Sequence, residues 1–244
     1  MNKLLILALS FAVIGFSAFT TTNNDEPTQE QGIHDAWTSL LNKHVTSYGA
    51  VDYDGFKKDI SKLNAYIESL QSTPPSSSWS KNKEMAYWIN LYNAFTIKLL
   101  VDNYPVSSIM DISGGKVWTT KKITVGGSSY TLDQIEKQKL IKRFNEPRVH
   151  FAVNCGAKSC PPLMNKAWTE SNIQLNFDIR AKMFINNRKY NDISSNPVKL
   201  SKIFEWYKAD FGNNLHTYIN KYAHNKISTS AKIEFNNYDW KLNK

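Results

Sequence analysis

The chain has 244 residues, 41% of them hydrophobic and 13% aromatic, with 7 Trp, 12 Tyr and 12 Phe. So many large apolar side chains build a sizeable core and exclude a mainly disordered protein, while 10 Gly and 8 Pro exclude collagen-like and Pro-rich fibres. The net charge of +9 makes the protein basic, and 2 Cys are too few for a disulfide-built mini-scaffold.

The first residues read as a targeting segment. Asn2-Lys3 gives a short basic start, Leu4 to Phe16 an apolar run, and Ser17-Ala18 small residues near a cleavage point. That layout predicts a signal peptide over residues 1–20, with a run too short to span a membrane comfortably. The expected setting is therefore periplasmic or extracellular, with no stable membrane span after cleavage. Residues 21–32 are polar, carry Pro27 and lack apolar periodicity, which predicts a flexible linker. From Ile33 no comparable break occurs, so residues 33–244 are expected to form one domain without internal repeats.

Ala36, Leu40 and Leu41 open a first helix, and Phe56, Ile60, Leu63, Ile67 and Leu70 mark a second by their spacing. Residues 85–101 are apolar on every face, which predicts a helix buried at the centre of the fold. Residues 121–132 form two strand-like runs around Gly126-Gly127, a hairpin signal. Thr131-Leu132-Asp133-Gln134 fits a capping box opening a helix to about residue 144, and Ser171 to Gln174 fits another. Val149, Phe151 and Val153 alternate with His150, Ala152 and Asn154, as in a strand over 148–154. Lys232 to Leu242, with Asn236-Asn237 at its middle, suggests a terminal hairpin. Helices outnumber strands without regular alternation. The expected fold is α+β: a helix-rich single domain whose central buried helix packs on a small, mainly antiparallel sheet, and on the strand 148–154 in particular.

Two segments carry a family resemblance. Glu84-Met85-Ala86-Tyr87-Trp88-Ile89-Asn90-Leu91-Tyr92-Asn93-Ala94 resembles the first signature of the DUF547 family. Arg148-Val149-His150-Phe151-Ala152-Val153-Asn154-Cys155, continuing to Ser159-Cys160-Pro161, resembles its second. Weaker echoes are Val51-Asp52-Tyr53, Tyr104-Pro105, Leu132-Asp133-Gln134-Ile135-Glu136 and the run from Ile203 to Phe211. The pieces follow the family's order over about residues 35–225. The family has no assigned function, so the resemblance implies kinship and leaves the chemistry to the residues. It also implies that Cys155 is the firmer cysteine position, since serine occurs at the second one.

Cys155 and Cys160 admit three readings: a disulfide in an exported domain, a nucleophilic thiol at Cys155 beside a glycine loop whose N–H groups face an oxyanion, or a zinc site with His150. The zinc site lacks a fourth local ligand, so no metal is expected. A regular strand would hold His150 and Cys155 roughly 16 Å apart on opposite faces, too far for proton transfer. Either that strand breaks before Cys155, or His150 meets Cys160 after the loop returns, or His34, His44, His216 or His224 serves the thiol. Asn90 and Asn93 share one helix face, and burial obliges both to find partners. Economy places Asn90, Asn93, His150, Asn154 and Cys155 on one cleft with Glu84 at its rim, Asn90, Asn93, Asn154 and Glu84 binding substrate; the alternative is that each amide ties a separate loop. Asp133 and Glu136 are explained by the start of their helix, and Asp210 by a loop contact. The lysines are scattered, with no nucleic-acid motif, no phosphate loop and no dinucleotide fingerprint, so neither nucleic acid nor cofactor is expected. Two functions stay open. One is a thiol-dependent hydrolase or acyltransferase on peptide-like amides, those of cell-envelope polymers included, with Cys155 as nucleophile and His150 as base. The other is a non-catalytic ligand-binding module stapled by a Cys155–Cys160 disulfide, with Trp79 or Trp240 touching the ligand.

Overall fold

A computed structural model describes residues 29–212 and 214–244. The expected signal peptide and most of the expected linker lie outside the described residues. Helix α1 spans Gln29–His44, so residues 29–32, read as the end of the linker, belong to its first turn. The expected second helix is two: α2, Tyr53–Lys58, and α3, Ile60–Ser72. Asp59 separates them, its carboxylate 2.6 Å from Lys43 Nζ and 2.8 Å from His44 Nε2 on α1. Helix α4, Lys81–Asp102, starts where the Ser80 hydroxyl accepts from the Lys83 N–H, and nearly every residue from Met85 to Val101 is buried. It is the central helix, with α3 on one side.

After a short α5, Val117–Thr120, strands β1 (Lys122–Val125) and β2 (Ser128–Thr131) pair antiparallel. The turn needs two left-handed residues, and Gly126 (φ 54°) and Gly127 (φ 81°) supply them. The Thr131 capping box forms as expected and opens α6, Leu132–Gln134. The chain then widens into a π-helix over Ile135–Lys142. A 3₁₀ turn, Pro147–Phe151, and α7, Ile173–Ile185, follow. Strand β3 (Val198–Leu200), α8 (Ile203–Trp206), α9 (Leu215–Tyr222) and β4 (Ile233–Phe235) complete the fold. The architecture is α+β and helix-rich. Its strands form two separate pairs, with β3 and β4 parallel.

Three local expectations are corrected. The strand over 148–154 is the 3₁₀ turn: Pro147 suits a helical start, Glu146 caps the Arg148 N–H, and Ala152 and Val153 both donate to the Val149 carbonyl. The terminal hairpin does not close, because β4 pairs with β3. Residues beyond it run past the Cys155 loop, where Lys158 N–H donates to Lys241 O at 2.8 Å. Asn172, not Ser171, precedes α7, and its side chain does not cap the helix. Two apolar clusters result, one around α4 and one joining Phe151 to α7, α8 and α9. No helix among the described residues is long and apolar enough to cross a membrane.

The α1–α3 contact makes stability pH-dependent. His34 is buried, its Nδ1 2.8 Å from Tyr66 Oη, and burial followed by the nearby Lys83 charge lowers its pKa from 6.5 to about 4. The native imidazole is thus neutral where the unfolded one already binds a proton, so stability falls as pH drops from 6.5 towards 4. The loss expected from this one group is about 3 kcal/mol. Urea unfolding at pH 7.5 and pH 4 should show a smaller loss for His34→Gln than for the unaltered chain.

Candidate functional site

The site forms where α4 grips the segment ahead of Cys155. Asn93 Nδ2 donates to Ala152 O (2.9 Å), and its Oδ1 accepts the Asn154 N–H (2.8 Å). Asn154 Oδ1 accepts the Gly156 N–H at 2.9 Å, and its Nδ2 donates to Pro161 O at 2.8 Å. Gly156 takes φ +83°, and a Cβ there would meet Leu100 Cδ1 at 2.5 Å, so glycine alone lets the turn lie on α4. These bonds fix the loop on which Cys155 sits. Asn90 makes the matching clamp on a different loop, donating to Trp168 O (2.7 Å) and accepting the Trp168 N–H (3.0 Å).

Cys155 and His150 open onto one cavity of about 380 Å³ at the seam between the two apolar clusters. Tyr92 and Val153 come from the first cluster's side and Ile203 and Tyr207 from the second. The C-terminal tail adds Tyr238 and Trp240, and Trp118 and Trp206 complete an aromatic rim. Trp206, Tyr238 and Trp240 pack on one another with ring centroids 4.5 to 5.9 Å apart. His150 Nε2 lies 2.8 Å from Asp210 Oδ2, and the ring lies on Tyr207 with centroids 4.0 Å apart. Because residues 147–151 form a 3₁₀ turn, the strand geometry that would set His150 and Cys155 on opposite faces does not apply, and both line the same cavity.

Both cysteines are free thiols, and Cys155 N–H donates to Cys160 Sγ at 3.0 Å. The disulfide staple is therefore absent. A hydrogen bond from the Cys160 thiol, helped by the Tyr238 hydroxyl and the Ala157 N–H, holds the Cys155 pKa below its ordinary value of 9.0 against the effect of burial. Tyr238 Oη stands 3.3 Å from Cys155 Sγ, and burial pushes the phenol up, so it remains a donor. Burial pushes the Cys160 thiol up as well, so Cys155 ionises first. Of the loop N–H groups expected to face an oxyanion, those of Gly156 and Cys155 are spent on Asn154 and Cys160, so the Ala157 N–H is the one at the sulfur, beside the Cys160 thiol and the Tyr238 hydroxyl. Among the described residues, no group of three His, Cys, Asp or Glu side chains is placed to hold a metal ion.

The expected substrate-binding set is not gathered here. Asn90, Asn93 and Asn154 are buried and spend their amides on backbone, so they are clamps and do not line the cavity. Glu84 is ion-paired to Arg143 at 2.6 Å and lies outside the cavity wall. Of the aromatic pair weighed for ligand contact, Trp240 lines the cavity and Trp79 packs on Tyr87 elsewhere. Conversely, Glu136, Asp210, Tyr92, Tyr207 and Tyr238 surround the thiol and histidine although none was read as a site residue. The signal available was that the first four lie in segments already set apart, 84–94, 132–136 and 203–211.

Residues 76–185 match a family model described as "Protein of unknown function, DUF547". Over this stretch the chain matches the DUF547 family. The DUF547 segment runs from just before α4 to the end of α7 and contains Cys155, His150, Tyr92 and Glu136. Asp210, Tyr207 and Tyr238 lie beyond it, so elements outside the DUF547 match complete the cavity. No curated protein and no solved structure matches the chain.

Proposed function

We propose that the protein is a thiol-dependent hydrolase or acyltransferase acting on peptide-like amides outside the cytoplasm, cell-envelope polymers among them. One observation carries this reading. A partly exposed cysteine with three hydrogen-bond donors at its sulfur shares a cavity with a histidine paired to a carboxylate. That is the nucleophile, base and orienter set that acyl transfer needs. The Cys155 thiolate attacks the amide carbon, and the departing amine takes a proton from His150 as the C–N bond breaks. The resulting thioester is resolved by water or a second amine, whose proton returns to His150. The apolar stretch from Leu4 to Phe16 supports the exported setting.

Alkylation tests the central claim. Iodoacetamide followed by mass spectrometry should modify Cys155 rapidly and leave Cys160 untouched. A lowered thiol pKa keeps thiolate present at lower pH, so the rate should reach half its maximum below pH 9.0. Cys155→Ser should abolish the modification. A Cys155 that is inert, or that titrates at or above the ordinary thiol value, would remove the nucleophile from this reading.

A further inference from the structure

We infer that the cavity binds an alkylammonium group with the Glu136 carboxylate as its counter-ion, so that the substrate carries a positively charged amine near the bond attacked. This deepens the thiol reading and rests on it. Two carboxylates line the cavity. Asp133 is already paired, 2.6 Å from Lys137 Nζ. Glu136 is buried with 7% exposure, and its partners are neutral hydroxyls: Tyr92 Oη at 3.1 Å and the Tyr207 phenol. No ion pair among the described residues reaches it. Lys137, which lines the same cavity and feels the Glu136 charge, has its ammonium held by Asp133, so a ligand that brings a cation of its own into contact with Glu136 recovers part of the cost of withdrawing that carboxylate from water.

The surroundings favour such a ligand. The carboxylate shares the cavity with Tyr92, Tyr207 and Trp206, aromatic residues of the kind that attract a desolvated cation. Tyr207 is held in place by the His150 ring stacked on it, so the ammonium position is tied to the proposed base. Glu136 lines the cavity from the first turn of a π-helical stretch, Ile135–Lys142, and π-helical turns recur at functional sites. A cation between Glu136 and Cys155 also removes the repulsion that Glu136 exerts on the thiolate. An amine-bearing substrate therefore helps to ionise its own nucleophile.

The test uses the full chain and two ligands of one shape, n-butylammonium chloride and n-butanol, followed by the fluorescence of the cavity tryptophans. The ammonium should bind at least about tenfold more tightly than the alcohol, and Glu136→Gln should erase that preference while retaining the Tyr92 bond. Equal binding of the two ligands, or an undiminished preference in Glu136→Gln, overturns the inference. If Glu136→Gln does not fold, the ligand pair on the unaltered chain decides alone. Iodoacetamide labelling of the unaltered chain separates this failure from that of the parent reading. An inert Cys155 with ammonium selectivity sinks the thiol chemistry only, and a reactive Cys155 without selectivity sinks the cation site only.

Discussion

Asn93→Ala is expected to remove about 2–6 kcal/mol of folding stability, because it leaves two buried backbone groups without partners. The Ala152 carbonyl loses its donor and the Asn154 N–H loses its acceptor. Neither meets water, since Asn93, Ala152 and Asn154 are all buried. Against a typical domain stability of about 5–15 kcal/mol this is a large fraction, and urea unfolding measures it directly. Asn90→Ala orphans the Trp168 N–H and carbonyl and should cost a similar amount. The two variants differ in what they do to the thiol. Asn93 holds the turn that presents Cys155, so Asn93→Ala should also slow iodoacetamide labelling of that residue. Asn90 clamps a different loop and its variant should leave labelling unchanged. A pair of variants equal in both stability and labelling would show that Asn93 has no positioning role.

This division explains how far the sequence is legible. The all-apolar stretch 85–101 announces the central helix, because only a helix buried all round tolerates apolar residues on every face. Gly126-Gly127 announces the hairpin, because few other residues take two left-handed conformations in succession. The same reasoning misplaces residues 148–154, where alternation imitates a strand. The segment has no neighbouring strand to pair with, and the Asn93 side chain takes up the Ala152 carbonyl and the Asn154 N–H instead. The asparagines were recognised as buried groups in need of partners. Sequence does not distinguish a partner on the backbone from one in a cleft. Glu136 reads as an ordinary first-turn acid, and only the tertiary fold shows it lining the cavity. Tyr238 is illegible for another reason. Its place depends on the C-terminal tail lying along residues 157–159, a contact between segments some eighty residues apart.

The remaining large effect concerns turnover. Asp210 touches His150 and not the reacting atoms, so it acts as a positioning residue: its carboxylate fixes the ring that takes a proton from the water resolving the thioester. Asp210→Asn keeps the size and a hydrogen bond but removes the charge. With p-nitrophenyl acetate as the acyl donor, the thiolate displaces p-nitrophenolate and the acetyl thioester is then hydrolysed. Deacylation depends on His150 taking a proton from water. The steady-state rate in Asp210→Asn is therefore expected to fall by about 10²–10⁴, with KM little changed. The initial burst of p-nitrophenolate should persist, since the donors that stabilise the Cys155 thiolate are Cys160, Tyr238 and Ala157. His150→Ala should lose the steady state to a similar degree, and adding imidazole should restore part of it in His150→Ala. A merely structural role for Asp210 would lower burst amplitude and steady state together by reducing the folded fraction. A burst that survives while deacylation stalls separates acid–base assistance from scaffolding, and a steady state indifferent to both substitutions would take His150 out of the chemistry.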